Sequence, residues 1–297
     1  MAIVVGTASW TDKTLIDSGK FYPADCKSPE GRLRYYAQQF PMVEVDSSYY
    51  AIPAPATAQA WAERTPPDFR FNVKAFRLFT GHPTDPKVLE KDIREALPAS
   101  DRQMLYYRDL PGEIVDELWR RFHRALAPLQ LNGKLTAVHF QFAPWVINDR
   151  DGRAHLIECV DRMAGQQLTV EFRNKVWFEG ANALRTLEMQ RELGVAHTVV
   201  DAPQELPNSI PAVWDITTTR LALVRLHGRN RGTWNIKNAK SASDRFNYDY
   251  TQVELAALVP KLQTLAQRVD LLQVVFNNNY EDQGQRNGRM MVSLLGG

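Results

Sequence analysis

The sequence predicts a (β/α)8 barrel, and two observations carry this prediction. Short β-branched and aromatic segments alternate along the chain with stretches of helical periodicity, a pattern typical of parallel sheets. Eight such segments occur within 297 residues, and this length is ordinary for one closed α/β barrel. We therefore expect residues 1–297 to form a single TIM-barrel domain.

The predicted strands are short and are bounded by polar or turn-forming residues. They cover Ile3–Ser9, Met42–Asp46, Arg70–Ala75, Thr136–Phe142, Leu168–Arg173, His197–Asp201, Leu221–His227 and Leu271–Asn277. Helical patterns follow most of these strands. They cover Gly31–Phe40, Thr57–Arg64, Asn182–Leu193, Tyr250–Arg268 and Gln285–Leu295.

Two connections depart from this alternation. The long stretch between the third and fourth strands predicts an insertion, Gly81–Lys134, on the carboxyl-terminal face of the barrel, where the active sites of such barrels lie. By contrast, Ala202–Arg220 is too rich in proline and β-branched residues for a full helix, so the sixth helix is expected to be degenerate or absent.

The insertion has two parts with different patterns. Glu113–Leu126 carries a helical stripe of apolar residues, which predicts a docked wall helix. Ala99–Leu110 has no clean apolar face, and we expect it to act as a lid. One or more of its residues is expected to overhang the mouth, and the candidates are Arg102, Tyr106, Tyr107 or Arg108.

The composition excludes several classes of protein. Apolar residues make up 44% and charged residues 24% of the chain, which is typical of a folded globular protein and excludes a disordered one. No apolar run is long enough to cross a bilayer, so no membrane association is expected. The two cysteines, with no leader at Met1–Gly6, favour a reduced cytoplasm. The net charge of +2 neither requires nor forbids nucleic acid.

Polar side chains alternate with apolar ones in six of the strands. In Val43–Asp46, for example, the valines lie on one face and the carboxylates on the other. Because helices cover the outside of a barrel, the polar set should face the lumen near the carboxyl-terminal strand ends. Buried charges are costly unless they are paired, so this pattern indicates a functional polar mouth; an internal network of structural ion pairs is the alternative.

Four residues are candidates for acid/base or electrostatic catalysis. Glu171 lies at the end of the fifth predicted strand and His227 at the end of the seventh, and either could transfer a proton. Lys74 and Asp201 end the third and sixth strands. The alternatives are a structural ion pair between Glu171 and Arg173 and a hydrogen-bonded core role for His227.

A larger set of residues is expected to bind an anionic substrate. Its members are cations, amides, a carboxylate and aromatic rings at or just after strand ends, with Arg229 in the loop Gly228–Gly232, a candidate phosphate site. They are Arg173, Arg225, Asn277, Asn279, Asp46, Gln141, Trp10, Tyr49, Arg229 and Trp234. Two further aromatic residues, Trp145 and Trp177, are expected to be loop core instead.

Several motifs resemble one family of proteins over nearly the whole chain. They are GTASW (Gly6–Trp10), FYP (Phe21–Pro23), the run Val43–Ala75, VHFQFAP (Val138–Pro144), VEFRNKVWF (Val170–Phe178), VRLHGR (Val224–Arg229) and VFNNN (Val275–Asn279). The set resembles the domain of unknown function 72, or YecE-like, family. The resemblance implies a TIM-type barrel in a bacterial or archaeal protein and no particular reaction. Asn174 and Lys175 depart from the His and small residue of many members, so no role of that histidine carries over.

Together these observations favour a barrel enzyme that acts on an anionic molecule, such as a phosphorylated sugar or a nucleotide-like compound, by acid/base chemistry. A hydrolase or an isomerase or lyase would fit. The alternatives are a protein that binds or processes nucleic acid, using Arg229, Arg231, Lys237 and Lys240, and a non-catalytic barrel that binds a small anion. No cofactor is expected. A divalent metal held by Asp46, Glu171, Asp201 and His227 is disfavoured, because cations share that ring. The sequence leaves the oligomeric state open.

Overall fold

In a computed structural model of the chain, eight parallel strands close into a barrel in sequential order. The structure describes residues 2–98, 103–204, 206, 208–236 and 242–296. The strands are β1 (Ala2–Ala8), β2 (Met42–Val45), β3 (Arg70–Lys74), β4 (Leu135–Gln141), β5 (Leu168–Glu171), β6 (Ala196–Asp201), β7 (Leu221–Leu226) and β8 (Leu271–Phe276). β1 pairs with both β2 and β8, which completes the closure. The predicted (β/α)8 barrel is confirmed.

Helices surround the barrel in the described part of the chain. They are α1 (Lys13–Ser18), α2 (Pro29–Gln39), α3 (Ser47–Tyr50), α4 (Pro55–Glu63), α5 (Lys91–Ala96), α6 (Gly112–Leu131), α7 (Arg150–Arg162), α8 (Asn182–Glu192), α9 (Gln252–Ala266) and α10 (Gln283–Leu294). Short 3-10 turns cover Pro86–Val88, Tyr107–Asp109, Lys175–Trp177 and Ala242–Phe246. None of the described helices is both long and apolar enough to span a bilayer.

The helix layer contains the six predicted helices and, in the described part of the chain, four more: the short α1, α3 and α5, and the longer α7. The described residues between β6 and β7 contain no helix, in keeping with the expected degenerate sixth helix. The sequence analysis did not identify α7, which follows β4 and begins at the Asp149 cap. Gly152 lies in its first turn because a Cβ there would be 2.0 Å from the carbonyl oxygen of Ile147.

The insertion contains the wall helix that its apolar stripe predicted. Along α6, Trp119 and Phe122 are buried, and the Trp119 ring stacks on Phe79 with centroids 3.8 Å apart. Of the residues proposed for the lid, Tyr107 does not overhang the mouth, because its side chain is buried and its hydroxyl donates to Glu158 at 2.6 Å. Arg102, with residues 99–101, lies outside the described residues.

Apolar packing lies between the strands and the helices, whereas the lumen is polar. Phe71, Val73, Val138 and Phe140 belong to one large apolar cluster outside the strands. The lumen instead contains cross-barrel polar contacts, such as the 2.7 Å bond from the Asn72 amide on β3 to Gln273 on β8. Water has no access to the outer face of such strands, so the polar residues occupy the one face left for them.

Candidate functional site

The polar residues at the strand ends meet inside the barrel. Arg225 on β7 contacts Glu44 on β2 and Glu171 on β5, and none of these strands pairs with another of the three. Side chains of strands so far apart can touch only across the lumen. Arg173, His227 and Asn277 join the same cluster through hydrogen bonds.

Arg225 is the centre of this cluster. Its guanidinium donates from Nη1 to Glu171 Oε2 and from Nη2 to Glu44 Oε1, both at 2.6 Å, and the side chain is 0% exposed. Weaker bonds reach Gln141 Oε1 at 3.3 Å and Asn277 Oδ1 at 3.2 Å. Buried charges are stable only when paired in this way, so the two glutamates and Arg225 form one structural unit.

Glu171 is held in its ionised form. Burial opposes its ionisation, but the guanidinium groups of Arg173 and Arg225 hold the pKa of this carboxyl well below its usual range. Arg173 pairs with Oε1 and Arg225 with Oε2, so both oxygens face cations. A carboxylate in this state cannot act as a general acid near neutral pH, and the structural ion pair considered for Glu171 and Arg173 is present.

His227 is neutral in this network. Burial, assisted by the nearby Arg173, lowers the pKa of its ring to about 3. Its Nδ1 lies 2.7 Å from Asn277 Nδ2, and its Nε2 lies 3.3 Å from Arg173 Nη2 and 3.4 Å from Glu171 Oε1. Both ring nitrogens are therefore enclosed by polar groups of the network.

A cavity of ≈300 Å³ opens above this network at the mouth of the barrel. We call it the mouth cavity. Its lining is Asp46, Tyr49, Tyr50, Lys74, Gln141, Ile236, Arg245, Phe246, Asn277 and Asn279. Lys74 Nζ donates to Asp46 Oδ1 at 2.7 Å and lies 4.5 Å from the centre of the Tyr49 ring. Burial opposes ionisation of Asp46, yet Lys74 holds the pKa of this carboxyl below its ordinary value.

Hydrogen-bond donors face the mouth cavity from two sides. Arg245 is exposed and lines it, and its guanidinium has no ion pair with any described residue. Gln141 accepts from Arg173 and Arg225 through Oε1, which leaves its Nε2 amide group toward the cavity that it lines. Such donors suit an anion better than a cation.

The charges of the mouth cavity and of the network beneath it do not cancel. The carboxylates are those of Glu44, Asp46 and Glu171, and the cations are Lys74, Arg173, Arg225 and Arg245. Three negative charges against four positive ones leave an excess of one positive charge in a confined site. Of these four cations, Arg245 is the exposed one.

Asp201 does not join this cluster, so the predicted convergence of Asp201 with Glu171 and His227 is wrong. In the barrel it pairs in register with Leu226, which packs among the leucines of α9, and paired residues of parallel strands share a face. Asp201 therefore points to the helix layer. There it accepts two bonds from Arg229, at 2.9 and 2.7 Å, and one from the Tyr250 hydroxyl at 2.7 Å.

The loop Gly228–Gly232 uses its own donors internally. Gly228 has a φ of 83°, a conformation that favours glycine, and its amide donates to the Tyr250 hydroxyl at 2.9 Å. The Gly232 amide donates to Asn230 at 3.0 Å. Arg229 is bound to Asp201, so these three donors of the loop are already engaged within the protein. Lys237 and Lys240 lie outside the described residues.

The aromatic residues divide into three groups. Tyr49 lines the mouth cavity, as predicted, while Trp10 is buried in the core, edge-on to Trp61 at 5.7 Å. Trp234 is buried beside His227, with ring centroids 6.3 Å apart, and helps to cover that ring. Both Trp145 and Trp177 were expected to be buried as loop core. Trp177 is buried, but for Trp145 the expectation is wrong, because its side chain is 54% exposed.

Two residues of the site were not among the predicted site residues. Alternation assigns Glu44 to the lumen face together with Asp46, two residues later, and this position could have identified it as a partner for a buried cation. Arg245 comes from the long loop after β7, for which no periodic signal exists. Within the described ranges, no group of three or more His, Cys, Asp or Glu side chains is arranged to hold a metal ion.

Comparisons with known proteins place this geometry in a family. The family model described as "Protein of unknown function DUF72" matches residues 4–297. The UPF0759 protein YunF of Bacillus subtilis (strain 168) is 32% identical over 297 residues, which cover 99% of this chain and 94% of that protein.

Two solved structures of DUF72 family proteins share the fold. One is from Enterococcus faecalis v583, with a TM-score of 0.79 and 25% identity over 99% of this chain and 96% of that chain. The other is from Thermotoga maritima MSB8, with a TM-score of 0.78 and 27% identity over 100% of both chains. The polar lumen described above is thus that of a TIM-barrel protein that belongs to the DUF72 family.

Proposed function

We propose that the mouth cavity binds a small organic anion, such as a phosphate ester. The observation that carries this proposal is the excess positive charge of the site, to which the exposed Arg245 in the cavity lining contributes. Electrostatic attraction is strong in a confined mouth of low dielectric constant, and a guanidinium can bind an oxyanion with two hydrogen bonds. The cavity volume of ≈300 Å³ suits a ligand of a few heavy atoms.

The donors around the cavity support a specific arrangement of the anion. Arg245 would contact its charged group, the Gln141 and Asn279 amides would donate to its remaining oxygens, and Lys74 would add charge from below. The buried unit of Arg225, Glu44 and Glu171 would hold the floor of the site rigid, because its bonds cross the whole lumen.

Isothermal titration calorimetry with inorganic phosphate, ribose 5-phosphate and acetate tests this proposal. We expect ribose 5-phosphate to bind, and Arg245→Ala to weaken it by about tenfold to a hundredfold, the range for loss of a charged hydrogen bond. The control is Arg70→Ala, because Arg70 is an exposed cation at the opposite end of the barrel, at the first position of β3. No binding of any of the three anions at millimolar concentration would contradict the proposal, as would equal affinities in Arg245→Ala and Arg70→Ala.

A second candidate function is acid/base catalysis on the bound anion, and Asp46 favours it. This carboxylate lines the cavity, is 24% exposed and is ionised beside Lys74, so it can approach a ligand C–H or O–H group. Glu171 and His227, the candidates from the sequence, lie beneath the cavity, one of them paired with two cations and the other neutral. Asp46 is therefore the better candidate for a general base.

Hydrogen exchange of the ligand tests the catalytic candidate. Ribose 5-phosphate and related esters are incubated with the protein in D2O, and deuterium incorporation at carbon is followed by NMR. We expect incorporation that Asp46→Asn abolishes while Asn279→Ala, which leaves the carboxylate in place, retains part of it. Incorporation at the same rate in Asp46→Asn would exclude this role.

A further inference from the structure

A second, larger cavity lies on the same end of the barrel. Its volume is ≈430 Å³, and we call it the outer cleft. It is formed by the loop after β4, the start of α7 and the 3-10 turn of the insertion. Its lining is Gly81, Tyr106, Tyr107, Arg108, Trp145, Val146, Ile147, Asp149, Asp151, Gly152 and His155.

A row of three rings connects the outer cleft with the mouth cavity. Tyr49, which lines the mouth cavity, lies 5.3 Å from the ring of His82, and His82 lies 5.8 Å from the ring of Trp145 in the outer cleft. The Tyr49 and Trp145 centroids are therefore at most about 11 Å apart. This distance is within the reach of one small molecule that carries two linked groups.

Trp145 is exposed but held in place. Its side chain is 54% exposed, yet its indole Nε1 donates to the carbonyl oxygen of Gly81 at 2.8 Å and its ring packs against His82. A large aromatic side chain that is fixed by a hydrogen bond and left in contact with solvent is typical of a stacking surface for a ligand.

Polar groups of both signs border this aromatic surface. Arg108, which is 86% exposed and lies 3.9 Å from the Asp109 carboxylate, lines the outer cleft, and so does the exposed carboxylate of Asp151. A guanidinium can donate to the carbonyl edge of a planar ring, and a carboxylate can accept from an amino group on such a ring. The mixture suits a heteroaromatic ring with hydrogen-bonding edges better than a purely apolar group.

We propose that the outer cleft binds the base of a nucleotide whose phosphate occupies the mouth cavity, with the base stacked on Trp145. This inference rests on the proposed function, because it assigns the anion of the mouth cavity to a nucleoside phosphate. An exposed indole can stack with any base, so the outer cleft would not select one base over another. The phosphate would orient the nucleotide, because Arg245 lines the mouth cavity.

The test compares AMP and GMP with ribose 5-phosphate, which carries the same phosphate without a base. Calorimetry should show that the nucleotides bind about tenfold more tightly than ribose 5-phosphate. Trp145→Ala should remove this difference and leave the affinity for ribose 5-phosphate unchanged. Trp145→Phe, which keeps a stacking ring, should retain part of it. The control is Leu184→Ala, because Leu184 is 60% exposed and lines neither cavity.

The outcomes separate this inference from the proposed function. If ribose 5-phosphate binds but the nucleotides bind no more tightly, or if Trp145→Ala weakens all ligands equally, the base site is wrong and the anion site stands. If phosphate and ribose 5-phosphate fail to bind but adenosine quenches the tryptophan fluorescence of the wild-type protein and not that of Trp145→Ala, the base site stands and the anion site is wrong. If no ligand binds at millimolar concentration, both are wrong.

Discussion

At the scale of single residues, the side chains at the centre of the lumen are fixed by charge. Arg225 has Glu44 and Glu171 at 2.6 Å on its two sides, and no part of these three side chains reaches solvent. Each charge depends on the others, because an unpaired ion in such surroundings loses its hydration without compensation. The pairing that stabilises the barrel centre keeps Glu171 ionised, so Glu171 cannot donate a proton. Proton transfer is therefore expected from residues that line the mouth cavity, such as Asp46.

Arg225→Met provides a direct test of this dependence. The substitution keeps the volume of the side chain but leaves two carboxylates without their shared cation. We expect the free energy of unfolding to fall by about 3–5 kcal/mol, measured by urea denaturation at pH 7. The control is Arg268→Met, which removes a surface pair with Asp215 and should cost less than about 1 kcal/mol. Similar losses in the two variants would show that the Arg225 unit contributes no more than a surface pair.

At the scale of elements, contacts at the opposite end of the barrel join helices to strands. Lys134 precedes β4 and is buried, and its Nζ donates to the carbonyl oxygens of Ala62 and Thr65 at 2.5 and 2.7 Å. These carbonyls end α4, where backbone acceptors have no partner within the helix. One lysine thus caps α4 and fixes it to the strand that follows α6.

Replacing Lys134 should therefore remove the hydrogen bonds that hold the end of α4 against β4 and lower the stability of the protein. In Lys134→Met the apolar part of the side chain is retained, but two buried carbonyl oxygens lose a charged donor. We expect a loss of about 2–3 kcal/mol in the free energy of unfolding, measured by urea denaturation. Lys91→Met is the matched control, since Lys91 is 78% exposed and makes only an i,i+4 pair with Glu95. A Lys134→Met protein as stable as this control would overturn the capping role.

At the scale of the whole molecule, burial makes most of the histidines neutral. Burial lowers the pKa of His82 and His227 to about 3 and that of His197 to about 4, and it also lowers the pKa values of His139 and His155. They come from the mouth, the lumen and the helix layer, so the effect belongs to the fold and not to one site.

This burial predicts a loss of stability in mild acid. An unfolded histidine binds its proton near pH 6.5, whereas these folded ones remain neutral until about pH 3–4. Between these values the unfolded chain holds more protons, so the free energy of unfolding falls as the pH falls. Urea denaturation at pH 7.5, 6.0 and 5.0 should show this decrease.

His197 offers a check on the origin of that decrease. It lies in the helix layer, with Nε2 3.1 Å from the carbonyl oxygen of Val213, so Gln can keep the hydrogen bond without titrating. In the wild-type protein, the free energy of unfolding should fall with decreasing pH partly because His197 binds its proton only when the chain unfolds. In His197→Gln we expect this fall to be smaller by about 1.4 kcal/mol per pH unit below pH 6. The control is His123→Gln, since His123 is only part-buried. A free energy of unfolding that stays constant from pH 7.5 to 5.0 would contradict the prediction.

The sequence by itself determined the fold and the polar character of the lumen. Strand and helix periodicities are local properties, and the alternation of Val43, Glu44 and Val45 separates an apolar face from a polar one within a single strand. Because helices must cover the apolar face of every strand, the polar residues Glu44, Glu171 and Arg225 could be assigned to the lumen.

The tertiary structure alone decided what the sequence left ambiguous. In β6, the set His197, Val199 and Asp201 and the set Thr198 and Val200 each mix polar and apolar residues. Alternation therefore could not tell which set faces the lumen, and only the register with β7 turned Asp201 outward. Likewise, Arg245 lines the mouth cavity and Trp145 lines the outer cleft, and both residues come from loops without periodicity. Their positions follow from where the strands end in space, a long-range property that no local pattern encodes.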